Sequence, residues 1–395
     1  MRFRHRDGTV VHLAYCTNVH TAEDLAGVLD QLGRFAEPVR EKLGTDLLGL
    51  GLWLARDVAT ALAAGTAAVR RLRAELAARG LEVVTLNGFP YQGFHAPVVK
   101  RAVYRPDWTE PARLAYTADL AQVLARLLPD DAAEGSVSSL PLAWRTPWED
   151  EQRRRAREAL GELAGRLVKI HAAEGRPVRV GFEPEPGCVV DTTADAVREL
   201  AGIDAEWLGV CLDACHLAVA FEEPAAALAR LAAAGLPVVK TQASCALEAV
   251  RPADPETRAA LETAAEPRFL HQVRERAPDG TVLAADDLDA ALYGDAAGAA
   301  LPAAGPWRVH FHAPVNAETL GPLRTTRPVL VETLRALLGG PRALTRHVEV
   351  ETYTWSVLPD AARPATRDAL VAGIAAELAW TRGQLLALGL EEVHP

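Results

Sequence analysis

The chain has 395 residues, 49% hydrophobic and 24% charged, so it can bury a large core without disulfide staples or obligatory partners. Its formal net charge of -10 supplies no basic footprint and argues against a nucleic-acid partner. Met1 to Asp7 holds three arginines with no apolar stretch after it, and the longest apolar runs, such as Leu47 to Ala55, are far shorter than a bilayer span.

Neither a secretory leader nor membrane insertion is therefore expected. Five scattered cysteines (Cys16, Cys188, Cys211, Cys215 and Cys245), an odd number, suit a reducing compartment better than a disulfide framework. A cytoplasmic location is the expectation.

From the N-terminus onward, short apolar runs alternate with longer helical stretches, the pattern of a parallel sheet with outer helices. Strands are predicted at Val11 to Thr17, Leu47 to Leu54, Leu81 to Leu86, Gly135 to Leu140, Val178 to Glu183, Leu208 to Asp213, Val238 to Gln242, Val309 to His312 and His347 to Thr352. A closed barrel needs one fewer, and Val309 to His312, which follows a long irregular stretch, is assigned to an insertion. The expected fold class is α/β: a single (β/α)8 TIM-barrel domain over 1–395, with long insertions at about 87–109 and 246–306 on the face where the strands end.

Between the strands, Thr21 with Asp24 reads as a capping box ahead of Leu25, Val28, Leu29 and Leu32, which recur on one helical face. Arg56 to Arg79 reads as one Ala-rich helix stopped by Gly80. Glu149 to Ala173 is a charged helix ending near Gly175, and Pro364 to Leu388 is the closing helix, stopped by Gly389. Asn87 to Thr109, rich in aromatics, Gly and Pro, is expected to form a lid or pocket wall. Within 246–306, Phe269 to Glu275 and Thr281 to Ala284 flank Pro278-Asp279-Gly280 as a hairpin, either a second lid or a surface elaboration.

Candidate chemistry gathers where strands end. The run Val178 to Phe182 meets Glu183-Pro184-Glu185-Pro186, Leu208 to Leu212 meets Asp213 with His216 three residues on, and Glu349 and Glu351 share one face of the last strand. Carboxylates clustered in a barrel mouth repel one another unless a cation lies between them. Oxygen donors with one or two imidazoles suit Mn²⁺, Mg²⁺, Co²⁺ or Zn²⁺.

These residues resemble the xylose isomerase-like TIM-barrel superfamily: Glu-Pro after the fifth strand, Asp-x-x-His after the sixth, a polar ligand after the seventh and Glu after the eighth. Several strings are similar to EboE-type metabolite traffic proteins: Tyr15-Cys16-Thr17-Asn18-Val19-His20, Asn87-Gly88-Phe89-Pro90-Tyr91, Val103-Tyr104-Arg105-Pro106-Asp107-Trp108, Phe182-Glu183-Pro184-Glu185-Pro186-Gly187 and Glu349-Val350-Glu351-Thr352-Tyr353-Thr354-Trp355. The resemblance implies that Glu183, Asp213 and Glu351 ligate a divalent metal, with His216 on metal or substrate. Relatives place a histidine on the seventh strand where this chain has Gln242, so Gln242 is a neutral oxygen ligand or no ligand, and His312 or His310 can supply the imidazole. In the second case the strand count would be wrong.

The resemblance further implies proton transfer next to a carbonyl, with Glu183 and Glu351 as the catalytic pair, in an isomerase or epimerase acting on a small sugar-like or polyol substrate. An accessory metabolite-handling protein in a pathway with a UbiA-like prenyltransferase, and a metal-dependent hydrolase, are the other classes. The glycosidase form of the last lacks its asparagine, since Phe182 precedes Glu183-Pro184. Expected substrate contacts are His20, Tyr91, His95, Trp108, Lys240 and His310; the structural alternatives are helix entry for His20, an ion pair for Lys240, and packing under the long loop for Tyr91, His95 and Trp108.

Overall fold

A computed structural model describes residues 1–393. Eight parallel strands close on themselves: β1 (Val10–Cys16), β2 (Leu48–Trp53), β3 (Leu81–Asn87), β4 (Gly135–Ser139), β5 (Val178–Phe182), β6 (Leu208–Asp213), β7 (Val238–Ala243) and β8 (His347–Val350), with β8 pairing back onto β1. Strands covered by helices outside and packed side chains inside lose contact with water on both faces, which is why they read as nearly continuous apolar runs. Every residue of β2 and β3 is buried. Outer helices include Pro111–Leu127, Asp150–Glu174, Arg327–Leu338 and Arg367–Ala387.

The opposite end of the barrel is covered by strand Arg2–Arg4, which pairs antiparallel with β1 and with Glu391–Val393. Two local readings change. The stretch after β2 forms two helices, Arg56–Ala64 and Thr66–Ala78, separated by an extended Gly65. Glycine is the weakest helix former in that run and caps both halves. The first crossover helix, Leu25–Gln31, starts one turn later than the capping box implied, because Asp24 itself is the N-cap and accepts from the Gly27 N–H at 2.7 Å.

Between β7 and the helix Arg327–Leu338 the chain builds a second, antiparallel sheet of six strands. Trp307–Ala313 lies inside it, between Cys245–Ala249 and Val273–Arg276. The surplus strand is thus outside the barrel, and the hairpin pairs Val273–Arg276 with Val282–Ala285. One contiguous apolar core joins the sheets, taking in Leu50, Val137 and Val210 from the barrel and Leu247, Val309 and Phe311 from the insertion. A buried carboxylate also ties the parts together: Glu377 Oε1 accepts from the Val315 N–H at 2.9 Å and from Thr352 Oγ1 at 2.6 Å.

Candidate functional site

The parallel barrel delivers three carboxylates to one point. The Glu183 N–H still bonds the Ser139 carbonyl at 3.0 Å, so its side chain leaves from the last rung of β5 before Pro184 ends the pairing. Asp213 ends β6 and caps helix Ala214–Val219: its Oδ1 accepts from the His216 N–H at 2.9 Å and from Ser244 Oγ at 2.7 Å. Glu351 follows β8, and its Oε1 accepts from Asn18 Nδ2 and Asn87 Nδ2, each at 2.7 Å.

A carboxylate oxygen from each of Glu183, Asp213 and Glu351 lies within 4.8 Å of the others, and all three side chains are buried. Among the described residues no arginine or lysine pairs with any of them; the basic side chains within 4 Å are imidazoles, His216 at 3.6 Å from Glu183 and His312 at 4.0 Å from Asp213. Burial first, then the other carboxylates, drives the Glu183 carboxyl well above its usual range. Burial and then Asp213 push Glu351 up to about 8.

The imidazoles arrive from two directions. His216 comes from the helix behind Asp213, and its Nδ1 donates to the Pro184 carbonyl at 3.0 Å. His310 and His312 come from the insertion strand Trp307–Ala313. His312 Nδ1 donates to the Glu351 carbonyl at 2.8 Å, which makes Nε2 an acceptor, and that Nε2 has no partner. Burial, only partly offset by Asp213, lowers the His312 imidazole to about 4, so it is neutral at pH 7.

Glu183 Oε2, Asp213 Oδ2, His312 Nε2 and both amide atoms of Gln242 are buried polar atoms without partners. Such groups are costly inside a protein. Acceptors on four side chains whose shared deficit is positive charge fit a divalent cation bound by oxygen and imidazole, the donor set of Mn²⁺, Mg²⁺, Co²⁺ or Zn²⁺.

The other expected contacts lie elsewhere. Lys240 is fully buried in an ion pair with Glu349, below the three carboxylates. Of its two readings the ion pair is the one observed. Gly51 makes room for that pair, since a Cβ there would stand 2.2 Å from the Glu349 carboxylate. His20 stacks on Phe35, with ring centroids 4.1 Å apart; Tyr91 packs against Tyr116; Trp108 donates to the Leu140 carbonyl. His95 reaches the Asn18 carbonyl at 2.8 Å, behind the amide that holds Glu351.

Above the carboxylates is a cavity of about 520 Å³ including its open mouth, and His310 is the one expected substrate contact that lines it. Its upper wall is apolar, built by Phe89, Phe94 and Val99 from the loop after β3 and Phe269 from the insertion. Sequence reasoning missed Asn18, Asn87, Glu185, Tyr104 and Tyr353 as lining residues, although each stands inside one of the quoted strings. Gln272, which holds the His310 ring at 2.6 Å, stands in none of them.

A closed (β/α)8 barrel with a carboxylate and histidine cluster at the carboxyl ends of its strands defines the class of protein, one that places chemistry at the barrel mouth. The chain belongs to the xylose isomerase-like TIM barrel family, whose model matches residues 41–246. It is similar in structure to D-psicose 3-epimerase with D-tagatose from Clostridium cellulolyticum H10, with a TM-score of 0.52, 14% identity, and coverage of 95% of this chain and 99% of that one. It is also similar to a xylose isomerase-like TIM barrel protein from Mycobacterium smegmatis in complex with magnesium, with a TM-score of 0.50, 13% identity, and coverage of 95% and 98%. At such identities these likenesses establish the fold. No curated protein sequence matches the chain.

Proposed function

We propose that the protein is a divalent-cation-dependent isomerase or epimerase acting on a small sugar-like or polyol metabolite. The observation that carries the reading is the convergence of Glu183, Asp213 and Glu351 with no lysine or arginine partner among the described residues, beside the unpartnered His312 Nε2. Support also comes from the fold shared with a D-psicose 3-epimerase and with a magnesium-bound barrel. Glu183, Asp213, Glu351 and His312 would hold the cation, with Gln242 as a neutral oxygen ligand and His216 beside it.

When bound, the cation supplies an electrophile for the vicinal oxygens of a hydroxycarbonyl substrate. Glu183 leaves β5 and Glu351 leaves β8, from different sides of the barrel ring. One takes a proton from the carbon next to the carbonyl, and the other returns one on the opposite side. Asn18 and Asn87 fix the Glu351 carboxylate through Oε1, so its angle of approach is set by the first and third strands. Phe89, Phe94 and Phe269 keep bulk water from the site where carbanion character develops.

The subfamily strings support a place in an Ebo-type metabolite traffic pathway in the cytoplasm, with a UbiA-like prenyltransferase as a pathway partner. The test is solvent-deuterium incorporation into a panel of ketoses and polyol-derived ketones by the metal-loaded protein. Exchange at the carbon next to the carbonyl, abolished by chelation, is expected. Bound metal with no exchange on any substrate sinks the catalytic reading and favours an accessory metabolite-binding role. One observation favours a hydrolase instead, namely three histidines at one mouth, and cleavage of bis(p-nitrophenyl) phosphate without deuterium exchange would decide for it.

A further inference from the structure

The cavity above the carboxylates has two halves of opposite character. Its floor carries the hydrogen-bonding groups, and there Asn18 Oδ1 and Glu183 Oε2 are buried with no partner of their own. Its wall is hydrocarbon: Phe89, Phe94 and Val99 from the loop after β3, with Phe269 and Leu270 from the insertion. The rings of Phe94, Phe269 and Tyr353, the last from the segment after β8, form a triangle with centroids 5.0 to 5.4 Å apart. Phe94, Val99 and Phe269 join Trp53 and Ala55 in an apolar cluster separate from the main core, so this surface is built at the mouth from several distant segments.

Polar backbone groups along that wall are engaged elsewhere. The Phe89 N–H donates to Asn87 Oδ1 at 3.0 Å, and the Phe89 carbonyl accepts from Arg113 Nη1 at 3.0 Å. The Pro90 carbonyl accepts from Trp53 Nε1 at 2.8 Å and from the Tyr116 hydroxyl at 3.0 Å. The Val99 N–H donates to the Arg268 carbonyl at 2.7 Å, and the Phe269 N–H to Glu266 Oε1 at 2.8 Å. The Tyr104 hydroxyl is committed to Glu185. Charge is neutralised as well, since Lys100 on the lining is paired with Asp287, and among the described residues no arginine lines the cavity.

A free ketose bound with its carbonyl end at the floor would press its remaining hydroxyls against these rings. A hydroxyl held against such a wall without a partner is disfavoured by about 100-fold, whereas an uncharged ring or alkyl group is stabilised there by leaving water. A phosphate would meet no free cation. We infer that the substrate is an amphiphile: a hydroxycarbonyl head at the floor, carrying an uncharged apolar substituent, aryl or alkyl, that sits among Phe89, Phe94, Val99 and Phe269. The inference rests on the isomerase reading for the head and on the cavity wall for the tail. The barrel is shared with a D-psicose 3-epimerase, but selection of the substrate belongs to the wall and not to the fold.

The experiment compares three ligands that share one head: erythrulose, its terminal phosphate, and the analogue in which a phenyl group replaces the terminal hydroxyl. Binding to the Mn²⁺-loaded full-length protein is read by calorimetric titration, and each mixture is then assayed for deuterium uptake from solvent at the carbon next to the carbonyl. The phenyl analogue is expected to bind at least about tenfold more tightly than either of the others. Phe94→Ser and Phe269→Ser should each cut that ratio to about threefold or less, while Phe269→Leu keeps it, which separates lost apolar surface from a collapsed loop. Equal or tighter binding of erythrulose or its phosphate, no binding of the phenyl analogue, or an unchanged ratio in both serine variants overturns the amphiphile. Deuterium uptake into erythrulose in any of those cases leaves the isomerase reading intact. Preferential binding of the phenyl analogue with no deuterium uptake supports the amphiphile and removes the catalytic reading instead.

Discussion

His312 belongs to the insertion, yet its Nδ1 donates to the backbone carbonyl of Glu351, 2.8 Å away at the end of β8. The bond fixes the ring's tautomer and turns Nε2 toward Asp213 Oδ2, 4.0 Å distant. A sheet outside the barrel thereby sets an imidazole beside the carboxylates, where the seventh strand carries Gln242. His312→Ala should weaken Mn²⁺ binding at least about tenfold by calorimetric titration, with the far-ultraviolet circular dichroism unchanged. An unaltered Kd would remove His312 from the site.

Gln242 is buried, with neither amide atom partnered, in register with Asp213 on one side and Glu349 on the other. If its oxygen meets the cation, replacing a weak neutral donor by an imidazole in Gln242→His should tighten Mn²⁺ binding. No change in that variant, together with loss of binding in His312→Ala, places the fourth ligand on the insertion alone.

Asp213→Asn deletes a charge but keeps the acceptor that caps the helix and bonds Ser244. Binding of metal at the carboxylate trio should be lost while the melting temperature of the metal-free protein stays level or rises, because one member of a repelling trio is neutral. Unchanged metal content would overturn the assignment. In the unaltered chain, Glu351 held up to about 8 keeps a proton that a cation must displace, so Mn²⁺ affinity should rise with pH between about 6 and 8. A flat profile over that range would show that the trio does not titrate with the ion.

The barrel was legible because burial on both faces writes a parallel strand as an apolar run. The predicted run Leu208 to Asp213 coincides with β6, and the others differ at their ends by one or two residues. The strand ends carrying Glu183, Asp213 and Glu351 were legible for the same reason, since a closed parallel barrel puts all its carboxyl ends on one face. Not legible was where His310 and His312 would land. Their strand is outside the barrel as expected, yet its pairing with Cys245–Ala249 and Val273–Arg276 carries both rings over the mouth. Both rings therefore stand at the mouth while their strand stays outside the barrel, so a histidine there does not require a ninth barrel strand. Lys240 is similar: its partner, Glu349, lies 109 residues away, and only the closed ring brings β7 against β8.

The Lys240 and Glu349 pair should behave as a unit. Both side chains are completely buried, so Lys240→Met alone strands a carboxylate and should cost about 3–5 kcal/mol in urea denaturation. Lys240→Met with Glu349→Gln leaves no buried charge and should recover most of that loss. Additive single-mutant effects would mean the two are not coupled.

Glu377 gives stability a pH dependence that can be tested away from the carboxylate trio. Burial raises its carboxyl from 4.5 to about 7, against the opposing hydrogen bonds from Thr352 and the Val315 N–H. Below about pH 4.5 the folded and unfolded chains both carry the proton, and the group is neutral in the balance. Between about 4.5 and 7 the unfolded chain ionises first, so the folded state loses stability as pH rises, and above 7 the full penalty holds. A shift of that size corresponds to at most about 3 kcal/mol, at about 1.4 kcal/mol per pKa unit. Glu377→Gln keeps an oxygen to accept both bonds and has no charge to bury. It should therefore be more stable than the unaltered chain at pH 8, by up to about 3 kcal/mol in urea denaturation, and nearly equal to it at pH 4. An equal gain at both pH values would mean that the effect comes from packing, and a loss at pH 8 would mean that the carboxylate is ionised and needed as such to hold the insertion on the barrel.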